Sequence, residues 1–270
     1  MAPENNDISF YIVAHADDWQ LFMNPNVFLD ITDGKSRVVI ILTTAGDAGN
    51  GEEFWTAREE GCKSSIRFCI APHDNVKEVS GTINVKKHPI NYWSANNVLC
   101  YFFRLPDGNR DGEGFFTNSG QSLTKLKSLK ISKIASLDQS TIYHSWTDFY
   151  STLAGIINYE SKGSDNNIWI NYLNPDTNLG LYEHPDHRAT GEAVQAMNTL
   201  PRFHHALFSG YAYNKPSSIS DTNLFWKVGM LAAYEKAVFD ICGYSTIKEN
   251  VSQYREWCFR GADIVAIIQR

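Results

Sequence analysis

Apolar residues fall into two kinds of run along the chain. Phe10–Ala14 (FYIVA), Val38–Thr43 (VVIILT), Val98–Leu105 (VLCYFFRL), Ile168–Leu173 (IWINYL) and Ala206–Tyr213 are short and nearly unbroken. Strands covered on both faces of a parallel sheet look like this, so these five segments are read as strands. Leu21, Phe22, Val27, Phe28 and Ile31 instead recur at helical intervals and predict a crossover helix between the first two strands. Further helices are predicted near Phe54–Phe68, Gln121–Lys130, Phe149–Tyr159, Asp186–Leu200, Leu224–Phe239 and Val251–Phe259. A glycine-rich turn (Ala45–Gly51) follows the second strand, and Pro106-Asp107-Gly108 ends the VLCYFFRL run. Residues 72–97 are polar without clear period and read as an inserted loop or hairpin. Strands alternating with helices predict an α/β fold, a three-layer α/β/α sandwich around a mostly parallel sheet. No shift in composition marks a boundary, so residues 1–270 are expected to form one domain, with 214–270 as a C-terminal helical extension.

Composition narrows the partners. With 43% hydrophobic and 20% charged residues the chain is an ordinary globular one, able to bury a core without disulfides. Its net charge is −6 and no basic stripe stands out, which argues against nucleic acid. The longest strongly apolar run, Val38–Leu42, is far too short to cross a bilayer. Met1–Asp7 is polar and leads straight into a strand, so no secretory signal is expected. Five irregularly spaced cysteines suit reduced thiols, and a cytoplasmic setting is expected.

Candidate chemistry sits in two clusters. Ala14-His15-Ala16-Asp17-Asp18 directly follows the first strand, where ligands bind in open α/β sheets. His15 and Asp18 can converge there on one divalent ion, although Asp17 or Asp18 could equally N-cap the next helix. Glu183-His184-Pro185-Asp186-His187 opens a helix after the Ile168 strand. Its two histidines could add a third ligand and a catalytic group, or Asp186 could be a cap beside surface histidines. Together the clusters offer the histidine and carboxylate set, with an open position, that catalytic zinc uses.

AHADD at residues 14–18 and HPDH at 184–187 resemble the two signatures, AHPDDE and HxDH, of the GlcNAc-phosphatidylinositol de-N-acetylase family, also called PIG-L or LmbE-like. TTAGDAGNG, the early helix arginine in WTAREEG, and LPDG match intermediate landmarks, so the resemblance runs from about Phe10 to Tyr213. It implies a Rossmann-like fold and zinc-dependent hydrolysis of N-acetyl groups, mostly on amino sugars. By the same resemblance His15, Asp18 and His187 are metal ligands and Asp17 is the general base. His184 polarises or protonates, Asp186 orients a histidine, Tyr182 approaches the substrate carbonyl, and Arg58 contacts the sugar. The cofactor implied is Zn2+, with another divalent metal as the alternative. The implied partner is a small N-acetylated sugar or glycoconjugate, with no transmembrane segment, and a homo-oligomer is compatible with the sequence.

Two positions depart from the family pattern. Ala16 replaces a proline, and Trp19 replaces the glutamate after the paired aspartates. The indole is expected either to line the pocket as a sugar platform or to pack in the core, with the pocket slightly favoured. Residues 72–97 exceed the family length and, near the active-site edge, would alter substrate choice. His204-His205, His73, His88 and His144 are read as structural or surface residues, and Asp107 and Asp111 as turn formers in a loop that could face the pocket. Trp93, Tyr101, Phe102 and Phe103 are assigned to the core. Two other functions use the same residues: a metal-dependent hydratase or lyase, and a catalytically silent sugar-binding protein. Keeping a base beside a full ligand set argues against the silent protein.

Overall fold

A computed structural model describes residues 7–70, 76–164, 167–176, 182–197, 203–211 and 218–269. The chain begins β1 (Ile8–Val13), α1 (Asp18–Phe22), α2 (Asn26–Asp33), β2 (Arg37–Thr44) and α3 (Glu52–Ile70). A hairpin of β3 (Glu78–Val85) and β4 (His88–Ala95) leads to β5 (Val98–Leu105) and α4 (Leu123–Lys127). The two-residue strands β6 (Ile134–Ala135) and β7 (Ile142–Tyr143) precede α5 (Trp146–Glu160), β8 (Ile168–Leu173), α6 (Pro185–Ala196) and β9 (His204–Phe208). The chain closes with α7 (Asp221–Cys242), α8 (Thr246–Glu249), α9 (Val251–Cys258) and β10 (Ile264–Ile268).

The large sheet has eight strands in the order β10-β9-β8-β1-β2-β5-β4-β3. The five central strands are parallel, and β10, β4 and β3 run antiparallel to their neighbours. Successive strand residues point to opposite faces, and both faces are apolar. Phe10, Ile12, Val39 and Ile41 join Leu126, Phe149, Leu153 and Ala193 of α4–α6 in one core. Tyr11, Val13, Ile40 and Leu42 join Phe22, Ile31, Ile66, Met230 and Tyr234 of α1–α3 and α7 in the other. This is the three-layer α/β/α sandwich. Where α3 meets α7, a Cβ on Gly61 would stand 2.6 Å from the Tyr234 ring, so only glycine lets the two helices approach this closely.

From β1 the chain passes to β2, crosses to the edge strand β3 and steps back through β4 to β5 beside β2, then lays β8 against the other side of β1. That reversal opens a crevice beyond the carboxyl ends of β1 and β8. It is there that both sequence clusters lie.

Several elements differ from the sequence reading. The single crossover helix is two helices, α1 and α2, divided before Pro25. Proline has no N–H to give the Leu21 carbonyl. That carbonyl instead accepts from the buried Lys227 amine at 2.6 Å, which also binds the carbonyls of Trp257 and Arg260. Residues 76–97 form the β3–β4 hairpin at the sheet edge. The helix expected over Gln121–Lys130 shortens to Leu123–Lys127, and Leu129 turns left-handed at φ 60°. Strand β10 was not anticipated. His73, Leu200 and Tyr213 lie outside the described residues.

Candidate metal centre and its pocket

His15 leaves β1 and Asp18 begins α1, and one hydrogen bond closes the turn between them: the His15 backbone N–H donates to Asp18 Oδ2 at 2.7 Å. Asp18 Oδ1 is thereby turned toward His15 Nδ1 at 3.6 Å and His187 Nε2 at 3.0 Å. The two ring nitrogens are 3.2 Å apart. Three buried donor atoms form a triangle with edges of 3.0–3.6 Å. A tetrahedral ion about 2.1 Å from each ligand would separate them by roughly 3.4 Å, so the set fits zinc.

Each imidazole is also held from behind. His187 Nδ1 lies 2.7 Å from Glu183 Oε1, and His15 Nε2 lies 3.3 Å from Asp186 Oδ2. A carboxylate on the far nitrogen fixes the tautomer that leaves the near nitrogen free to ligate. Glu183 Oε1 further accepts from the backbone N–H groups of His184 and Tyr211. Asp186 Oδ2 accepts from the Gly108 N–H at 2.8 Å, and a Cβ on Gly108 would fall 2.4 Å from Asp186 Oδ1. The LPDG turn thus needs glycine to reach the centre.

The charges of these residues hold the triangle. Burial alone would lower the His187 pKa, but Asp18 and Glu183 outweigh it and push it up to about 9. The same competition, burial against Asp18, leaves His15 well above its usual value. Burial would raise Asp18, yet His187 and His15 hold it well below the carboxylate range. His184 goes the other way, pushed down to about 3 by burial and then by the His15 charge. Its Nδ1 accepts from the Asp186 N–H and caps α6, so the neutral ring carries its proton on Nε2.

A cavity of about 790 Å3 opens on this centre, within the range of small-molecule sites. His15, Asp17, Asp107 and His184 line it, with Phe54, Tyr182, Tyr211 and Trp257 among its aromatic walls. Asp17 points both oxygens at donors: Oδ1 meets Arg58 Nη2 at 2.5 Å and Oδ2 meets the Tyr254 hydroxyl. Arg58 was expected to reach a sugar. It lines the cavity, and each of its three nitrogens also makes a bond within the protein, to Asp17, to the Gly46 carbonyl and to the Tyr234 hydroxyl. Tyr182 stands half exposed at the mouth and donates to the Arg110 carbonyl at 3.2 Å.

Trp19 is placed away from the pocket wall. It is 0% exposed, packs in the core between α1 and α3, and donates its indole N–H to Cys62 Sγ at 3.3 Å. Helix α1 turns Asp18 toward the crevice and the next residue inward. No described residue of 76–97 lines the cavity, so the hairpin at the sheet edge does not border the site. His88, His144, His204 and His205 also lie outside it. His88 bonds Thr141 and Asp148, while His204 packs on Trp169.

The sequence reading gave no site role to several residues, and placed Asp107 only in a turn that could face the pocket. Asp107 Oδ1 builds its turn by accepting from the Asn109 N–H, but Oδ2 sits 3.8 Å from His15 Nε2. Glu183 could have been found by its place four residues before His187, one helical turn away. Tyr211, Tyr234, Tyr254 and Trp257 carry no motif; only the fold brings them to the centre.

No family model matches the chain, and no curated protein sequence does. Among solved structures, a deacetylase in the biosynthesis pathway of teicoplanin is 15% identical, covers 86% of this chain and 84% of its own, and has a TM-score of 0.49. The N,N'-diacetylchitobiose deacetylase of Pyrococcus horikoshii is 14% identical over 98% and 84%, with a TM-score of 0.46. The 4-carboxy-2-hydroxymuconate hydratase of Pseudomonas putida KT2440 is 9% identical over 93% and 82%, with a TM-score of 0.45.

Proposed function

We propose that this chain is a zinc-dependent N-deacetylase that hydrolyses the acetamide of an amino sugar or glycoconjugate. The observation that carries the reading is the donor triangle of His15 Nδ1, Asp18 Oδ1 and His187 Nε2, each imidazole backed by a carboxylate, beside a small-molecule cavity that His15 lines. The resemblance of AHADD and HPDH to the de-N-acetylase signatures supports the choice of reaction. These three residues would hold the ion, which supplies a Lewis acid that makes water nucleophilic near neutral pH and polarises the amide oxygen.

The other roles belong to the chain. Asp17 lies between two ligands and lines the cavity, so its carboxylate takes the proton of the attacking water. His184, neutral with its proton on Nε2, donates a hydrogen bond to the oxygen that becomes negative. Asp17, once protonated, delivers the proton to the departing amine. Asp107 and the aromatic walls contact the sugar.

Asp17→Asn tests this division of labour. Acetate release should fall by about 10²–10⁴, the scale of general-base catalysis, while the protein keeps one zinc per chain. Near-full activity in the zinc-loaded variant would remove Asp17 from the reaction.

A further inference from the structure

We infer that Tyr254 is the positioning residue of the deacetylation: its hydroxyl, brought by the C-terminal helix α9, fixes the Asp17 carboxylate at the angle from which it meets the water. The inference rests on Asp17 being the base.

Asp17 is the N-cap residue of α1, its carbonyl accepting from the Leu21 N–H at 3.1 Å, but its side chain makes no capping bond, so the carboxylate must be held by other elements. Two donors anchor it, one on each oxygen: Arg58 from α3 and Tyr254 from α9. Arg58 is itself fixed by the Tyr234 hydroxyl of α7 at 2.8 Å. Asp17, Arg58, Tyr234 and Tyr254 are all buried, and Asp17, Arg58 and Tyr254 border the cavity, so the network is stiff where it meets the site. Burial, and after it the Asp17 charge, keeps the Tyr254 hydroxyl protonated, which makes the tyrosine the donor.

The way α9 packs supports the same role. Its only buried residues are Tyr254 and Trp257, three apart on one face. Trp257 stacks on Tyr211 with ring centroids 4.6 Å apart, and Tyr211 in turn meets the edge of His187 at 4.9 Å. The helix is thus docked through the metal centre, one contact to the base and one toward a ligand. Arg58 alone would leave Asp17 Oδ2 free to swing, and a displacement near 1 Å can cost about 100-fold in rate.

The test is a double-mutant cycle on zinc-loaded full-length protein, with acetate release from an N-acetylated amino sugar as readout. Tyr254→Phe removes one oxygen and keeps the packing. It should lower kcat by about 10- to 100-fold, leave KM and zinc content unchanged, and add nothing once Asp17→Asn is present. Wild-type protein should also show a slowly exchanging downfield hydroxyl proton by NMR, lost in both single variants. An unchanged kcat in Tyr254→Phe beside a severely impaired Asp17→Asn would overturn the positioning role and leave the base intact. Full activity in Asp17→Asn would instead overturn the base assignment and this inference with it. Independent, additive effects, or no such proton in the wild type, would also overturn it.

Discussion

At the scale of single residues the centre is a problem in holding two imidazoles still. As the proposed ligands, His15 and His187 would each present one nitrogen, and their other nitrogens meet Asp186 and Glu183. Glu183 does this while also binding the backbone of His184 and Tyr211, so it sets the ring of His187 and the strand end behind it together. Glu183→Ala should weaken zinc binding by about 10- to 100-fold, the usual cost of losing a carboxylate behind a ligand, with the fold retained. Competition with a chromophoric chelator measures it, and an unchanged affinity would mean that Glu183 merely supports the turn. His15, Asp18, His184 and His187 were legible because the two motifs set them at fixed spacing after a strand end. Glu183 and Asp107 were harder to read, since carboxylates in turns most often bond their own backbone, as Asp107 does with one oxygen.

At the scale of elements, hydrophobic pattern located β1, β2, β5 and β8 to within two residues, because burial on both faces leaves an unmistakable run, whereas the strand expected over Ala206–Tyr213 is β9 at His204–Phe208. Pattern also fused α1 with α2, since Pro25 breaks the helix without breaking its apolar spacing. It placed α9 over Val251–Phe259 but was silent on β10, which is exposed along most of its length and carries no periodic signature. Trp19 belongs here, because its fate depends on how α1 rolls against α3. With its ring in the core, Trp19→Ala should destabilise the protein by about 3–5 kcal/mol, the cost of emptying a buried aromatic site. Urea unfolding measures this, and the order of preferred substrates should not change. A stable Trp19→Ala protein with altered preference would return the indole to the pocket.

At the scale of the molecule, the site is assembled from the whole length of the chain. Residues near 15, 58, 107, 184 and 254 converge only because the sheet reverses direction at β1 and the last helices fold back over the crevice. Stability and metal binding are therefore linked through pH. In chelator-treated protein His187 has a folded pKa of about 9, above its unfolded value near 6.5. Its contribution is fully present below about pH 6.5 and is lost as pH rises through about 9. Ligation requires the neutral ring, so zinc acts in the opposite direction. The rise in Tm on adding zinc should grow between pH 6 and pH 9, followed by calorimetry across that range. A zinc effect independent of pH would contradict the ligand assignment.

The most direct measurement is acetate release from a panel of N-acetylated amino sugars and glycoconjugates by chelator-treated protein titrated with zinc. Activity should be absent at the start, rise to a plateau at one zinc per chain, and release one free amine for each acetate. A protein that binds its single zinc through His15, Asp18 and His187, yet releases no acetate from any member of the panel, would contradict the deacetylase reading.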